Sequence, residues 1–254
     1  MKAMILAAGL GTRLRPLTND RPKALVELDG RTLLEITISR LRDFGVDEII
    51  INTHHFADSV AAYLAQRKHF GMRIEISREP VLLDTGGGLK QAGWFFLEDA
   101  QRLDEPFFLH NVDVLSGIDL GAMRKAHQKQ NAFATLAVQS RASSRPLLFD
   151  QEMQFKGRPG GVYAAEAASL RSSAASSPDF SQLAFCGVHV ISPRLIPLLS
   201  EKGSFSIISA YARLAEEGKR IQGFRADQYY WRDLGRAADL EQASLDLRTG
   251  ISSA

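Results

Sequence analysis

Residues 2–23 read KAMILAAGLGTRLRPLTNDRPK, and this stretch decides the fold that we predict for the chain. Its apolar part, Ala3–Ala7, is short and uninterrupted, which is typical of a parallel strand covered on both faces. A loop rich in glycine and arginine follows to about Arg15. In open α/β sheets the ligand lies beyond the carboxyl ends of the strands, so this loop is the first candidate for a binding site.

Strand-like and helix-like patterns alternate through the first 115 residues. The predicted strands are Ala3–Ala7, Glu48–Asn52, Met72–Ile76 and Pro106–His110, and the predicted helices are Thr32–Asp43, Ala57–His69 and Gly87–Leu97. Gly45 stands where the C-terminal cap of the first helix belongs. Such alternation implies βαβ units with right-handed crossovers, and therefore a doubly wound, mostly parallel sheet with helices on both faces.

The second half of the chain is less regular. Its predicted helices are Leu120–Gln130, Pro193–Ser200, Ser206–Glu217 and Leu240–Leu247, and its predicted strands are Ala134–Gln139, Pro146–Asp150, Ala184–Ile191 and Arg220–Phe224. Residues 164–181 are dominated by alanine and serine, which predicts a flexible surface excursion. We find no internal repeat, and we expect one domain over residues 1–254 with a mixed sheet.

The composition excludes several classes of protein. The 254 residues are 45% hydrophobic and 24% charged, which excludes a disordered or collagen-like chain. Lys plus Arg number 31 against 29 Asp plus Glu, and a net charge of +2 is too small to indicate nucleic-acid binding. No apolar run reaches the roughly 18 residues of a membrane helix, and the apolar start is short for a signal peptide. We therefore expect a cytoplasmic protein without a membrane partner.

The loop after the first strand has the chemistry of a triphosphate site. Glycines such as Gly9 and Gly11 allow the backbone to approach a phosphate closely, and Arg13, Arg15 and Lys23 add cations nearby. The alternative is an ordinary glycine-rich turn with solvated arginines. The loop is not a Walker A motif, because no Gly-Lys-Ser/Thr closes it. A nicotinamide-binding fingerprint is disfavoured as well, since Leu14 replaces its third glycine and Pro16 interrupts its helix.

Other polar residues follow later strands. Glu79 and the run Gly86–Gly88 follow the third strand, and those glycines would offer free N–H groups at the start of a helix. Asp113 follows the strand Pro106–His110, and Asp233 ends a further apolar strand that begins near Tyr229. Carboxylates beside a triphosphate are suited to Mg²⁺. Each motif alone could equally be a turn or a helix cap.

Other chemistries have little support in the sequence. His54 and His55 lack a partner at zinc-ligand spacing, so we interpret them as polar packing near the site. The single cysteine, Cys186, cannot form an internal disulfide and lies within an apolar strand. We therefore predict neither a zinc site nor a covalent nucleophile.

Taken together, these segments resemble the sugar nucleotidyltransferases, also called nucleoside-diphosphate-sugar pyrophosphorylases. The opening motif is LAAGLGTRLRPLT at residues 6–18 with Pro22-Lys23, and it is the most specific. Supporting motifs are DTGGGL at 84–89, NVD at 111–113 and WRDLG at 231–235. The resemblance implies a Rossmann-like nucleotidyltransferase fold, with a nucleotide-binding half at about 1–115 and a sugar-phosphate-binding half at about 116–250. No C-terminal β-helix is expected, as in the short single-domain members.

The resemblance also implies a Mg²⁺-dependent reaction in which a sugar 1-phosphate attacks the α-phosphorus of a nucleoside triphosphate and pyrophosphate leaves. Arg13, Lys23 and Asp113 would be catalytic, and Asp113 and Asp233 would hold the metal. The implied nucleotide-binding residues are Leu6, Ala7, Ala8, Gly9, Gly11, Thr12, Arg13, Lys23, Glu79, Gly86, Gly87 and Asn111. A monomer or a homodimer is expected.

The substrates stay open between several members of the family. The preferred pair is UTP with N-acetylmuramate 1-phosphate, in nucleotide-sugar biosynthesis for the cell wall. GTP with mannose or heptose 1-phosphate and CTP with phosphocholine are the alternatives. Val112 and Arg236 depart from the family pattern, which leaves a non-catalytic nucleotide-sugar sensor as an alternative of another class. The Glu-Lys-Pro segment with which many relatives grip the sugar phosphate is not visible, and Arg145 and Lys156 are unassigned cations.

Overall fold

A computed structural model describes residues 1–160 and 180–250. The strands are β1 Lys2–Leu6, β2 Glu27–Leu28, β3 Arg31–Thr32, β4 Glu48–Thr53, β5 Arg73–Arg78, β6 Phe107–Asn111, β7 Val114–Ser116, β8 Ala134–Gln139, β9 Leu147–Phe149, β10 Ser181–Ile191, β11 Ile221–Arg225 and β12 Trp231–Asp233. The α-helices are α1 Leu33–Asp43, α2 Ala57–Gln66, α3 Asp84–Gln91, α4 Gly93–Leu97, α5 Leu120–Lys129, α6 Ile207–Glu216 and α7 Ala237–Arg248.

The main sheet has the strand order β11-β8-β10-β6-β1-β4-β5, and β9 pairs with β10. The pairs β6–β1, β1–β4, β4–β5 and β8–β11 are parallel. Only β10 runs against its neighbours β6 and β8 among the described strands of this path. The predicted mostly parallel, mixed sheet is confirmed, and it runs through both halves of the chain.

Helices cover both faces of this sheet. Alternate residues of a strand point to opposite faces, and accordingly Ala3 and Ile5 belong to one buried cluster while Met4 belongs to another. The first cluster includes the inner faces of α1, α2, α5 and α7. The second includes those of α3, α4 and α6. The fold predicted from the alternation of patterns is therefore confirmed.

Several predicted boundaries were wrong. The helix predicted over Ala57–His69 ends at Gln66, because Lys68, His69 and Phe70 take left-handed backbone angles. The helix predicted over Gly87–Leu97 begins three residues earlier and divides into α3 and α4. The segment predicted as a helix after Pro193 is a 3₁₀ helix that ends at Leu198. Most of the predicted excursion at 164–181 lies outside the described residues, and its last residue begins β10.

Three buried histidines make stability depend on pH. Burial lowers the pKa of His110 and of His127 to about 4, and that of His189 to about 3. Arginine neighbours lower the first two further, Arg40 beside His110 and Arg194 beside His127. Because the folded-state pKa lies below the unfolded value, the unfolded chain binds more protons between these values.

We therefore expect the free energy of unfolding to fall as the pH is lowered from about 6.5 to about 4, by about 3 kcal/mol for each such histidine. Urea unfolding at a series of pH values measures this loss. The exposed His55 provides the control, since His55→Gln should leave the pH dependence unchanged. A urea concentration at half-unfolding that stays constant over this pH range would contradict the expectation.

Candidate functional site

The loop after β1 folds back on itself and brings Lys23 to the end of the strand. Gly11 has φ +65°, and a Cβ there would lie 3.0 Å from Thr18 Cγ2 and 3.3 Å from Lys23 Cβ. Thr18 Oγ1 donates to the Gly11 carbonyl at 2.8 Å and closes the loop. Glycine is required here both for the left-handed backbone and for the close approach of Lys23.

A cavity of about 350 Å³ lies at the carboxyl ends of β1, β4, β5 and β6. Of the sequence-predicted site residues, it brings together Leu6, Ala7, Ala8, Gly9, Lys23, Glu79, Asn111 and Asp113. The remaining predicted residues are not part of its lining: Gly11, Thr12, Arg13, Gly86, Gly87 and Asp233. The cavity is where the order of the strands predicts a ligand.

Lys23 and Asp113 form an ion pair on the wall of this cavity. Their side chains are only 10% and 16% exposed, although 90 residues separate them in sequence. A cation and a carboxylate held this way can interact with a triphosphate and with its counter-ion. The pair is therefore the electrostatic centre of the candidate site.

Asp233 is held next to Asp113 by a short two-stranded sheet. β12 pairs antiparallel with β7, so Asp233 lies opposite Val114, and the Leu234 N–H donates to the Asp113 carbonyl at 2.7 Å. Asp233 Oδ1 accepts the Gly235 N–H at 2.7 Å and lies 3.9 Å from Arg13 Nη2. The structure thus brings Arg13 and Asp233 together at the exposed margin of the site, beside Lys23 and Asp113.

The two aspartates are compatible with a magnesium ion but not with a metal site built wholly from protein ligands. Within residues 1–160 and 180–250, no three His, Cys, Asp or Glu side chains are grouped so that they could hold a metal. Mg²⁺ needs only one or two protein carboxylates when phosphate oxygens and water complete its shell. The donor set therefore fits Mg²⁺ bound together with a nucleotide.

Glu79 also lines the cavity, and both of its carboxylate oxygens accept hydrogen bonds. Asn52 Nδ2 donates to Oε1 at 2.7 Å, and the Leu83 N–H donates to Oε2 at 2.9 Å. Asn52 in turn accepts the Ala7 N–H at 2.8 Å. Gly88 packs under this pair, since a Cβ there would lie 2.6 Å from Glu79 Oε1. Glu79 is thus a fixed acceptor, only 3% exposed, on the cavity wall.

The prediction that the glycine run offers free N–H groups to a ligand was wrong for Gly86 and Gly87. Their N–H groups donate to the Phe205 carbonyl at 2.9 and 3.3 Å. A Cβ at Gly86 would lie 2.9 Å from that same oxygen and would overlap the Phe205 ring. The glycines therefore allow the segment before α6 to pack on the start of α3, and this segment places Ser204 in the cavity wall.

Three of the lining residues were missed in the sequence: Asn52, Leu82 and Ser204. Asp84 and Thr85 also line the cavity, and they belong to the DTGGGL motif without a predicted binding role. Asn52 could have been found, because it lies near the end of β4 at the same edge of the sheet. Ser204 has no local signal, since only the tertiary contact of Phe205 with α3 brings it there.

His54 Nδ1 contacts the Glu79 carbonyl at 2.8 Å, as polar packing near the site predicts. Burial raises the pKa of Cys186 to about 12, so its thiol is a poor nucleophile.

No helix in the described part of the chain is long and apolar enough to cross a membrane.

Comparison with known proteins gives concordant matches. Residues 2–147 match the nucleotidyl transferase family. The chain is 36% identical over 240 residues to the N-acetylmuramate alpha-1-phosphate uridylyltransferase of Caulobacter vibrioides, covering 92% of this chain and 91% of that one. It is 28% identical over 252 residues to the mannose-1-phosphate guanylyltransferase of Mycobacterium tuberculosis, covering 98% of this chain and 65% of that one. The solved structure of a UDP-glucose pyrophosphorylase complexed with UDP-glucose superimposes with a TM-score of 0.75 at 19% identity, covering 98% of both chains.

Proposed function

The chain belongs to the nucleotidyl transferase family and is a sugar-1-phosphate nucleotidyltransferase, and from that premise we propose that it transfers a uridylyl group from UTP to N-acetylmuramate 1-phosphate. The products are the UDP-sugar and pyrophosphate. The family resemblance predicted from the motifs is thereby confirmed, whereas the choice of these two substrates is our proposal. It is supported by the 36% identity to the Caulobacter vibrioides enzyme over nearly the whole of both chains.

The cavity that carries Lys23 and Asp113 is the observation on which the mechanism rests. In the proposed reaction a phosphate oxygen of the sugar 1-phosphate forms a bond to the α-phosphorus of UTP, and the bond from that phosphorus to the bridging oxygen of pyrophosphate breaks. The attacking phosphate is already an anion, so no general base is needed. Catalysis then depends on positioning and on the neutralisation of negative charge.

Each cation of the site has a separate task in this reaction. Lys23 lies inside the cavity and is suited to neutralise charge at the α-phosphate. Arg13, at the exposed margin beside Asp233, is suited to accompany the leaving pyrophosphate. Gly9 lines the cavity, where the absence of a side chain leaves room for the phosphates.

We also propose that the reaction depends on Mg²⁺. Asp113 and Asp233 would hold the ion, whose chemistry when bound is to add positive charge next to the triphosphate. In the absence of nucleotide, Asp113 is the counter-ion of Lys23. A bound triphosphate would give Lys23 a second anionic partner and would leave Asp113 available as a metal ligand.

The position of Glu79 favours a nucleotide whose base has a ring N–H, because that N–H could donate to the carboxylate. Both of its oxygens already accept hydrogen bonds, so this side chain is held as an acceptor and offers no donor. Uracil has N3–H and guanine has N1–H, whereas cytosine and adenine have an acceptor nitrogen at the corresponding position. This contact favours UTP and GTP over CTP, so CTP with phosphocholine is disfavoured. UTP is preferred over GTP with mannose 1-phosphate because of the identity to the uridylyltransferase.

Pyrophosphate release across a grid of substrates tests the proposed function. One axis holds UTP, GTP, CTP, ATP and dTTP, and the other holds the 1-phosphates of N-acetylmuramate, N-acetylglucosamine, glucose, mannose and heptose, together with phosphocholine. With Mg²⁺ present, we expect the highest rate for UTP with N-acetylmuramate 1-phosphate, and we expect EDTA to abolish it. A maximum at any other pair would overturn the proposed substrates, and activity that survives EDTA would overturn the metal dependence.

The variant Glu79→Gln tests base selection. Its amide nitrogen must face either the Asn52 amide or the Leu83 N–H, both of which are donors. We expect kcat/KM for UTP to fall about 10- to 100-fold, and the preference for UTP over CTP to shrink. Glu241→Gln, at an exposed position on α7 outside the cavity lining, is the matched control and should leave this preference unchanged. If Glu79→Gln kept the wild-type preference for UTP over CTP, Glu79 would have no role in recognising the base.

A further inference from the structure

Arg141 lies at the same edge of the sheet as the candidate site, on the side away from the nucleotide cavity. β8 runs parallel to β6, because β10 lies between them and is antiparallel to both. The carboxyl end of β8 at Gln139 therefore lies at the edge where β6 ends at Asn111. Two strand spacings, about 10 Å, separate these ends. Arg141 follows two residues after Gln139.

A β-bulge in β10 leaves a backbone carbonyl free to accept a hydrogen bond from Arg141. The register of β10 against β8 shifts between Phe185 and His189, and Gly187 within this segment has φ +74°. The bulge frees backbone carbonyls from the ladder. Arg141 Nη2 donates to the Phe185 carbonyl at 2.7 Å, and Trp231 Nε1 donates to the Cys186 carbonyl at 2.7 Å.

The guanidinium of Arg141 is stacked on the ring of Trp231. Its Cζ lies 3.6 Å from the ring centroid. Trp231 and Asp233 are two residues apart on β12, so their side chains leave the same face of that strand about 7 Å apart. The stacked guanidinium is therefore held near the proposed metal ligand Asp233, within reach of an acceptor whose phosphate lies there.

The charge of Arg141 is not neutralised by a neighbour. Within residues 1–160 and 180–250, no carboxylate forms an ion pair with Arg141. Its guanidinium contacts the Phe185 carbonyl and the Cys186 thiol, both of which are uncharged. The nearby Asp227 is already engaged, because it accepts from Arg225 at 2.6 Å and from the Ser140 N–H at 2.6 Å. A stacked guanidinium that has no carboxylate partner of its own is suited to bind a carboxylate.

We propose that Arg141 binds a second anionic group of the acceptor, the lactyl carboxylate by which N-acetylmuramate 1-phosphate differs from N-acetylglucosamine 1-phosphate. This inference rests on the proposed function and adds to it the residue that distinguishes the two sugars. The acceptor phosphate would lie towards Asp113 and Asp233, and the carboxylate would extend towards the carboxyl end of β8. Arg141 is thus a specificity-determining residue of the acceptor site.

The test compares binding of the two sugar phosphates at saturating UTP and Mg²⁺. We measure KM and kcat for N-acetylmuramate 1-phosphate, and the inhibition constant of N-acetylglucosamine 1-phosphate as a competitor, which does not require it to be a substrate. For Arg141→Gln we expect KM for the muramate substrate to rise about 10- to 100-fold. The inhibition constant of the glucosamine compound should change less than about threefold, since it lacks the carboxylate.

Arg194→Gln is the matched control. Arg194 also stacks on an aromatic ring, 4.3 Å from the centroid of Phe133, and also donates to backbone carbonyls. It lies beyond the opposite end of β10, away from the cavity. Arg194→Gln should therefore match Arg141→Gln in any loss of thermal stability while keeping both constants at the wild-type values.

The outcomes separate this inference from the proposed function. If the wild-type enzyme uses another acceptor, the proposed function fails and the role of Arg141 fails with it. A second outcome is that the wild-type enzyme uses N-acetylmuramate 1-phosphate while Arg141→Gln weakens the binding of both sugar phosphates equally, or of neither. In that case only the role of Arg141 is overturned. The assignment is supported if Arg141→Gln weakens only the binding of the muramate substrate and Arg141→Lys partly restores that binding.

Discussion

Asp113→Asn is expected to lower kcat by about 100- to 1,000-fold, because it weakens the binding of the proposed Mg²⁺ ion that would neutralise the charge of the triphosphate. The carboxylate lines the cavity and is nearly buried against Lys23. Asparagine preserves the shape of the side chain but is a much weaker ligand for Mg²⁺. Initial rates of pyrophosphate release over a range of Mg²⁺ concentrations measure the effect, and Asp113→Ala should lose at least as much activity.

The control for this prediction is Asp20→Asn. Asp20 is 73% exposed and pairs only with its neighbour Arg21 among the described residues. Its loss should leave kcat within about twofold, since exposed ion pairs contribute little. Circular dichroism and thermal unfolding show whether both variants are folded. If the Asp113→Asn enzyme were folded and released pyrophosphate at a near-normal rate, Asp113 would have no role in the reaction.

The position of the candidate site could be predicted, because it follows from rules that act on local sequence. Apolar runs bounded by turns identify β1, β4, β5 and β6, and the carboxyl ends of parallel strands meet at one edge. Lys23, Glu79 and Asp113 follow strands in the sequence and do line one cavity. The left-handed Gly11 belongs to the same local pattern, since the loop has to turn back within a few residues.

The rest of the site depends on contacts between distant segments. Nothing near Gly86 indicates that Phe205 packs on it, so a glycine run that makes room for a neighbour resembles one that binds a ligand. The pairing of Trp231–Asp233 with Val114–Ser116 joins segments more than 100 residues apart. These strands are three residues long, too short for periodicity to predict their partner. Arg141 became interpretable only once the bulge in β10 and the ring of Trp231 were placed around it.

Lys23→Met is expected to lower kcat/KM by about 100- to 1,000-fold, most of it in kcat, because the cation is needed as negative charge develops at the α-phosphate. Methionine keeps the length and the apolar stem of the lysine while removing its charge. The same substitution leaves Asp113 without its counter-ion in a nearly buried position, so we also expect a loss of up to about 3 kcal/mol of stability. Kinetics and urea unfolding of the same preparation measure the two effects.

The double variant Lys23→Met/Asp113→Asn separates catalysis from stability. With both charges removed, neither group is left as an uncompensated buried ion, so the free energy of unfolding should recover most of what Lys23→Met loses. Activity should not recover, because the triphosphate would then contact neither the cation nor the proposed metal ligand. If stability and activity were restored together, the ion pair would be a structural contact and the reaction centre would have to be sought elsewhere. Recovered stability without recovered activity would instead identify Lys23 and Asp113 as charges that bind to each other in the free enzyme and act on the substrates during turnover.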